Sequence, residues 1–120
     1  TRLPRWMRPV GLATLAAGIG LAAWGIVQFK RHEASPNPRQ RPTKLVTDGP
    51  YAFTRNPMYL GGSLALLGAS LMRGSVVGLI SPFLYAGILS RKQIPFEEAA
   101  LETAYGSGYD AYRKRVRRWI

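Results

Sequence analysis

The residues from Val10 to Phe29 form a run of twenty without a charged side chain. At about 1.5 Å rise per residue, a helix of that length reaches about 30 Å, the hydrocarbon thickness of a bilayer. Trp6 precedes the run and Trp24 sits near its other end, as interfacial anchors do. The competing reading is a buried helix of a soluble protein. Two further uncharged runs, Asn56 to Met72 and Gly74 to Ser90, hold seventeen residues each, the lower limit for spanning. Arg73-Gly74 separates them, which is the outline of a helical hairpin with a tight turn; a re-entrant hairpin is the alternative. Pro82 falls inside the second run and predicts a kink. Small residues recur every fourth position, at Thr14, Gly18 and Ala22 and at Gly61, Ala65 and Ala69, and predict close helix packing.

Between these apolar runs the chain is polar and basic. Lys30 to Thr54 carries Pro36, Pro38, Pro42 and Pro50, which interrupt helices and strands alike, so the segment reads as a connector. Asp48-Gly49-Pro50 has turn chemistry, and Leu45, Val46, Tyr51 and Phe53 are candidates to pack. After Arg91, Pro95 is suited to open a helix, with Glu97, Glu98 and Glu102 early in it. Gly106-Ser107-Gly108 interrupts that helix. Tyr109 to Ile120 then places Tyr109, Tyr112, Val116 and Trp119 on one face, as in an amphipathic helix at the membrane interface.

Seventeen Lys and Arg face six Asp and Glu, a net charge of +11. Spread over a soluble domain, that excess would suggest a nucleic-acid partner. Its confinement to short segments between apolar runs argues for a lipid bilayer instead, and against nucleic acid. Three crossings put Arg2, Arg5, Arg8 and Arg73 on one side and the other thirteen basic residues on the opposite side, with every acidic residue and His32. The positive-inside rule assigns the richer side, with the polar chemistry, to the cytoplasm. The absence of Cys excludes disulfides, thiolate metal sites and thiol nucleophiles.

The expected fold is therefore all-α and membrane-embedded, one domain over residues 1–120. Spanning helices are expected at about 9–29, 57–72 and 74–92, with cytoplasmic segments 30–56 and 93–120 and a C-terminal interfacial helix. Two polar clusters flank the hairpin: Gly49-Pro50-Tyr51 with Arg55-Asn56-Pro57-Met58-Tyr59-Leu60-Gly61 before it, and Glu97-Glu98, Leu101-Glu102, Tyr105-Gly106, Tyr109 and Tyr112 after it. A hairpin returns the chain to the face it left, so the two clusters become neighbours.

These blocks, in this order, with Leu45-Val46-Thr47-Asp48-Gly49-Pro50-Tyr51 ahead of them and Arg115-Val116-Arg117-Arg118-Trp119 at the end, resemble the integral membrane methyltransferases. That family includes isoprenylcysteine carboxyl methyltransferase and the phospholipid N-methyltransferases. The resemblance implies S-adenosylmethionine as methyl donor and no metal. By position, it implies that Arg55, Asn56, Pro57, Tyr59 and Gly61 form an arginine-led motif at the cofactor, that Glu97 and Glu98 form a paired-glutamate motif, and that the chain around Val46, Gly49 and Tyr51 covers the adenosine. Many members carry His after the Arg; this chain has Asn56, a variant familiar in bacterial-type and lipid-methylating members. Members usually have a further N-terminal helix, so a truncated or short form is expected.

Physical chemistry points the same way. The donor carries a sulfonium, an ammonium and a carboxylate, and a site for it calls for carboxylates and a guanidinium. Arg55, Tyr59 and Glu98 are the candidates for a catalytic part. The expected function is methyl transfer to a membrane-embedded or lipophilic acceptor: a prenylcysteine carboxylate, a phospholipid amine or a similar small lipophile. The rival is a non-catalytic membrane scaffold or an anionic-lipid-binding subunit that keeps these residues for structure.

Overall fold

The computed structural model describes residues 2–32 and 46–120. Pro36, Pro38, Pro42 and Leu45 of the connector lie outside them, with Arg39, Arg41 and Lys44 of the thirteen basic residues, as does the side chain of His32. The described residues are helical, apart from short connections and one antiparallel bridge between Arg2 and Ser75.

Helix α1 spans Met7–His32 and includes the whole uncharged run. It packs antiparallel against α2, Pro57–Arg73, which starts with Asn56 at the N-cap and Pro57 in the first turn, where a missing N–H costs no hydrogen bond. Contact between them is backbone to backbone. A Cβ on Gly11 would stand 2.6 Å from the Met72 nitrogen, one on Gly18 2.5 Å from the Ala65 nitrogen, and one on Gly25 3.0 Å from the Pro57 ring. Gly61 and Gly68 face α1 just as closely. The expected stripes are therefore only partly the observed ones. Gly18, Ala22, Gly61 and Ala65 meet at the seam, but its period on α1 is seven, through Gly11, Gly18 and Gly25. Thr14 bonds back to the Val10 carbonyl (2.8 Å).

The hairpin turn is wider than expected. Gly74 takes φ +68° and caps α2, and the Ser75 N–H bonds the Ser70 carbonyl. The Ser70 hydroxyl reaches the Gly78 carbonyl at 2.8 Å. These bonds hold the chain through a 3-10 turn at Val77–Leu79, and α3 begins only at Ile80 (Ile80–Ile88). Pro82 consequently sits in the first turn of α3, where it has no interior hydrogen bond to break.

The third helix also runs on where a new one was expected to start. A π turn, Leu89–Gln93, joins α3 to α4, Ile94–Tyr105, with right-handed helical dihedrals at the junctions. The Ile94 N–H reaches back five residues to the Leu89 carbonyl. That widened turn gives the Pro95 ring room against the preceding carbonyls, so proline is tolerated inside a continuous helix.

Gly106, at φ +54°, breaks the chain between α4 and α5, Ser107–Arg115. The final helix is shorter than expected, and Val116 is extended. The Arg117 and Arg118 carbonyls accept bonds from Arg55 and Asn56, which draws the chain out of the helix and across the start of α2. The face expected to meet lipid meets protein instead. Tyr112 and Val116 are buried with Val46 and Tyr51, and Phe29 of α1 packs against them. Outward, α1 presents Val10, Leu12, Ile19, Ile26 and Val27, and the third helix presents Ile80, Phe83, Leu84 and Ile88.

Candidate functional site

Arg55 lies between the short 3-10 turn Gly49–Ala52 and the N-cap of α2. Its backbone N–H donates to the Arg117 carbonyl at 2.9 Å, which anchors the residue to the C-terminal strap. Its Nη1 donates to Glu98 Oε2 at 2.8 Å and to the Tyr109 hydroxyl at 3.0 Å. Glu98 also receives a two-pronged grip from Arg118, Nη2 to Oε1 at 2.6 Å and Nε to Oε2 at 3.1 Å. One carboxylate thus holds two guanidiniums, from two stretches of chain more than sixty residues apart. Arg55 Nε is buried and has no hydrogen-bond partner among the described residues.

Glu97, one position earlier in the first turn of α4, faces α2. The Tyr59 hydroxyl donates to its Oε1 at 2.5 Å, and Gln93 Nε2 donates to the same oxygen at 3.0 Å. The two adjacent glutamates therefore serve different partners, one ionic and one a phenol–amide pair.

These groups edge a cavity of about 340 Å³. Tyr51, Arg55, Asn56, Pro57, Tyr59, Glu97 and Glu98 line it, so seven of the ten expected site residues come together. Most of the remaining wall is apolar: Phe29, Met58, Ile94, Phe96, Ala100 and Leu101, with Tyr109 and Tyr112. A volume of this size is in the range of small-molecule sites.

Three expected residues are not on the wall. Val46 is buried in the cluster with Tyr51, Tyr112 and Val116. Gly49 lies against the Gln28 side chain, at φ +61°. Gly61 is at the α1–α2 seam. Asn56 lines the cavity, but its amide Nδ2 donates to the Arg118 carbonyl at 2.9 Å, which gives it a part in holding the strap.

Burial sets the protonation of the phenols near the wall. Loss of solvent, with a smaller push from the Glu97 charge, raises Tyr51 to about 12. Tyr112 is raised by burial and by Tyr51. Tyr109 is raised by burial and by Glu98, partly opposed by Arg55. All three stay neutral near pH 7 and act there as hydrogen-bonding groups: the Tyr112 hydroxyl donates to the Tyr51 carbonyl at 2.8 Å.

A family model described as phospholipid methyltransferase matches residues 6–108. The chain belongs to that family. Within the phospholipid methyltransferase family and its isoprenylcysteine-methylating relatives, the protein-S-isoprenylcysteine O-methyltransferase of Schizosaccharomyces pombe is 36% identical over 78 residues, covering 65% of this chain and 33% of that protein. Protein-S-isoprenylcysteine O-methyltransferase B of Arabidopsis thaliana is 31% identical over 78 residues, covering 65% of this chain and 40% of that protein. An uncharacterized Haemophilus influenzae protein is 33% identical over 63 residues and is covered in full. The chain thus spans less than half the length of its two named relatives. The solved structure of the eukaryotic intramembrane Ras methyltransferase, isoprenylcysteine carboxyl methyltransferase, superposes with a TM-score of 0.83 at 23% identity, over 97% of this chain and 42% of that one. The matched 42% of that structure therefore shares its fold with this member of the phospholipid methyltransferase family.

Sequence reasoning did not place Arg118 in the site. The residue belongs to the closing stretch Arg115 to Trp119, which marks the family resemblance, but a helical reading turned it away from the tyrosine face. The signal was the stretch itself, and only the extended strap gives Arg118 its reach to Glu98. Phe29 was missed because it sits in the apolar run of α1, where nothing separates a cavity residue from a lipid-facing one.

Proposed function

We propose that the cavity binds S-adenosylmethionine and that the chain transfers its methyl group to a lipophilic acceptor, an oxygen or nitrogen nucleophile carried on a lipid. The observation that carries this reading is the state of Arg55. Its Nη1 is held by Glu98 and Tyr109, while its buried Nε, at the edge of a largely apolar cavity, has no partner among the described residues. A buried guanidinium N–H with nothing to bond costs free energy unless a ligand completes it. The carboxylate of the donor's methionine part is the matching group.

Glu97 is suited to the donor's cationic part: Tyr59 and Gln93 bond its Oε1, which leaves Oε2 for an ammonium or sulfonium. Glu98 is already engaged by two guanidiniums and orients Arg55 rather than meeting the ligand. When bound, S-adenosylmethionine supplies an electrophilic methyl group. The chain's own contribution is alignment and exclusion of water, through Phe29, Met58, Phe96 and Leu101. A carboxylate acceptor needs no base. An amine acceptor must first lose a proton, and Glu97 is the carboxylate placed to take it.

In this reading residues 1–120 form one membrane domain with three crossings, α1, α2 and the third helix. Of the described helices, α1 is the one long and apolar enough on its own to cross a membrane. The uneven division of basic residues puts the site and the C-terminal strap on the cytoplasmic side of a multi-pass protein. The donor then enters from water and the acceptor from the bilayer.

Two measurements test this. S-adenosylmethionine should raise the melting temperature of the detergent-purified protein, and Glu98→Ala should abolish the rise. Radiolabelled donor mixed with membrane extract should yield a labelled, solvent-extractable product. A folded protein that shows neither a shift nor a labelled lipid ends the proposal.

A further inference from the structure

At the far end of α2 from Arg55, the hairpin turn surrounds a second cleft of about 580 Å³. Its polar side chains are Arg2, Arg73, Ser75, Ser70 and Ser81. The seventeen residues of α2 separate it from the candidate site by about 25 Å, nearly the depth of a membrane. We infer that this cleft binds the phosphodiester headgroup of an anionic phospholipid in the leaflet opposite the candidate site, through the guanidiniums of Arg2 and Arg73. The inference rests on the spanning arrangement proposed above, though not on methyl transfer.

Both arginines are exposed at the cleft, and neither guanidinium has a hydrogen bond or ion pair among the described residues. Several nearby acceptors are already used. The Leu71 carbonyl takes the Gly74 N–H (3.2 Å), the Ser70 carbonyl takes the Ser75 N–H (3.1 Å), and the Gly74 carbonyl takes the Leu3 N–H (2.8 Å). The Gly78 carbonyl takes the hydroxyls of Ser70 (2.8 Å) and Ser81 (2.7 Å).

Among the described residues no carboxylate offsets the two charges. The described acids are Asp48 at the connector and Glu97, Glu98, Glu102 and Asp110 in α4 and α5, all beyond the other end of the crossings. Guanidiniums without a carboxylate, at bilayer-headgroup level, match a phosphate. The surroundings match the rest of a lipid: Val77 is 77% exposed and Ile80 55%, and Val76 also faces outward, so an acyl chain has an apolar surface directly below the charges. A free phosphate ion would use the arginines and ignore that surface, which favours the lipid.

Native mass spectrometry of the detergent-purified chain with dioleoylphosphatidylglycerol, dioleoylphosphatidylcholine or inorganic phosphate tests this. The protein carries other basic residues, so the readout is the tightest phosphatidylglycerol adduct. Arg2→Gln with Arg73→Gln should weaken it about tenfold, the loss expected for two charge-assisted contacts. Arg2→Lys with Arg73→Lys should retain most of it, and Lys114→Gln with Arg115→Gln, which removes the same charge at the other end, should leave it unchanged. An unchanged melting temperature of the Gln pair in neutral detergent, without lipid, separates lost binding from lost folding. Equal loss in the Lys114/Arg115 pair, no loss in the Arg2/Arg73 pair, or displacement of the lipid by equimolar inorganic phosphate each overturns the inference. Failure of methyl transfer would leave these outcomes unaffected.

Discussion

Arg118 grips Glu98 with two parallel bonds, 2.6 and 3.1 Å, across the face of the candidate site. The same carboxylate holds Arg55 at 2.8 Å, so the C-terminal strap sets the position of the arginine that edges the cavity. The strap itself is fixed at several points. Its carbonyls take N–H groups from Arg55 and Asn56, and the Trp119 indole donates to Ser90 in the π turn at 3.0 Å.

Arg118→Gln should therefore act through Glu98. The pair is partly exposed, so its direct contribution to stability is modest, on the order of 1 kcal/mol after screening. Donor affinity should fall about tenfold, because Arg55 loses its fixed partner. Arg118→Lys keeps the charge but not the fork and should recover only part of that affinity. Isothermal titration with S-adenosylmethionine measures both variants.

The two glutamates should separate in mutagenesis. Glu98→Gln should weaken donor binding at neutral pH, since it removes the anion that orients two guanidiniums. Glu97→Gln should lower turnover at a donor concentration that saturates the variant, with most of the loss for an amine acceptor. Equal effects of the two substitutions on affinity and on turnover would contradict the division of roles.

The α1–α2 seam should be intolerant of added volume. Gly18→Ala places a Cβ 2.5 Å from the Ala65 nitrogen, and relief requires moving backbone, at about 1–3 kcal/mol. Gly20→Ala meets nothing within 4 Å and should leave the melting temperature unchanged or raise it. Thermal unfolding in one detergent compares the two directly.

Alkaline pH should expose the buried phenols. Tyr51 titrates at about 12 in the folded protein, against about 10 when unfolded, so the native state holds its proton more tightly. The stabilisation is fully present below pH ~10 and is lost as pH rises through ~12. Tyr112 shifts in the same direction. The melting temperature should fall across that window, and Tyr112→Phe should flatten the fall. The same substitution removes the buried bond to the Tyr51 carbonyl and should cost about 1 kcal/mol at neutral pH.

Much of this protein was legible without coordinates, and the division follows a physical line. Uncharged length and charge segregation report what solvent a segment tolerates, and they are local properties of the chain. That is why the helix between Met7 and His32, the start of α2 at Pro57 and the break at Gly106 could be read directly. The ordered motifs brought the Arg55 cluster beside the Glu97-Glu98 cluster, because a hairpin returns the chain to one face; the structure then pairs Arg55 with Glu98 and Tyr59 with Glu97. Nothing local sets how the pieces close on one another. The seam through Gly11, Gly18 and Gly25 depends on which face of α1 meets α2. The π turn ahead of Pro95 depends on a helix held at both ends by packing. The strap depends on carbonyls of Arg117 and Arg118 finding donors more than sixty residues away in sequence, at Arg55 and Asn56. A helical period assigned Arg118 to solvent; long-range hydrogen bonds, which outweigh one more turn of a short helix, turned it inward. The sequence by itself determined what each segment can dissolve in and most of the polar groups at the candidate site. Tertiary structure decided which of those groups touch, because contacts between distant segments are settled by packing and pairing that no local pattern encodes.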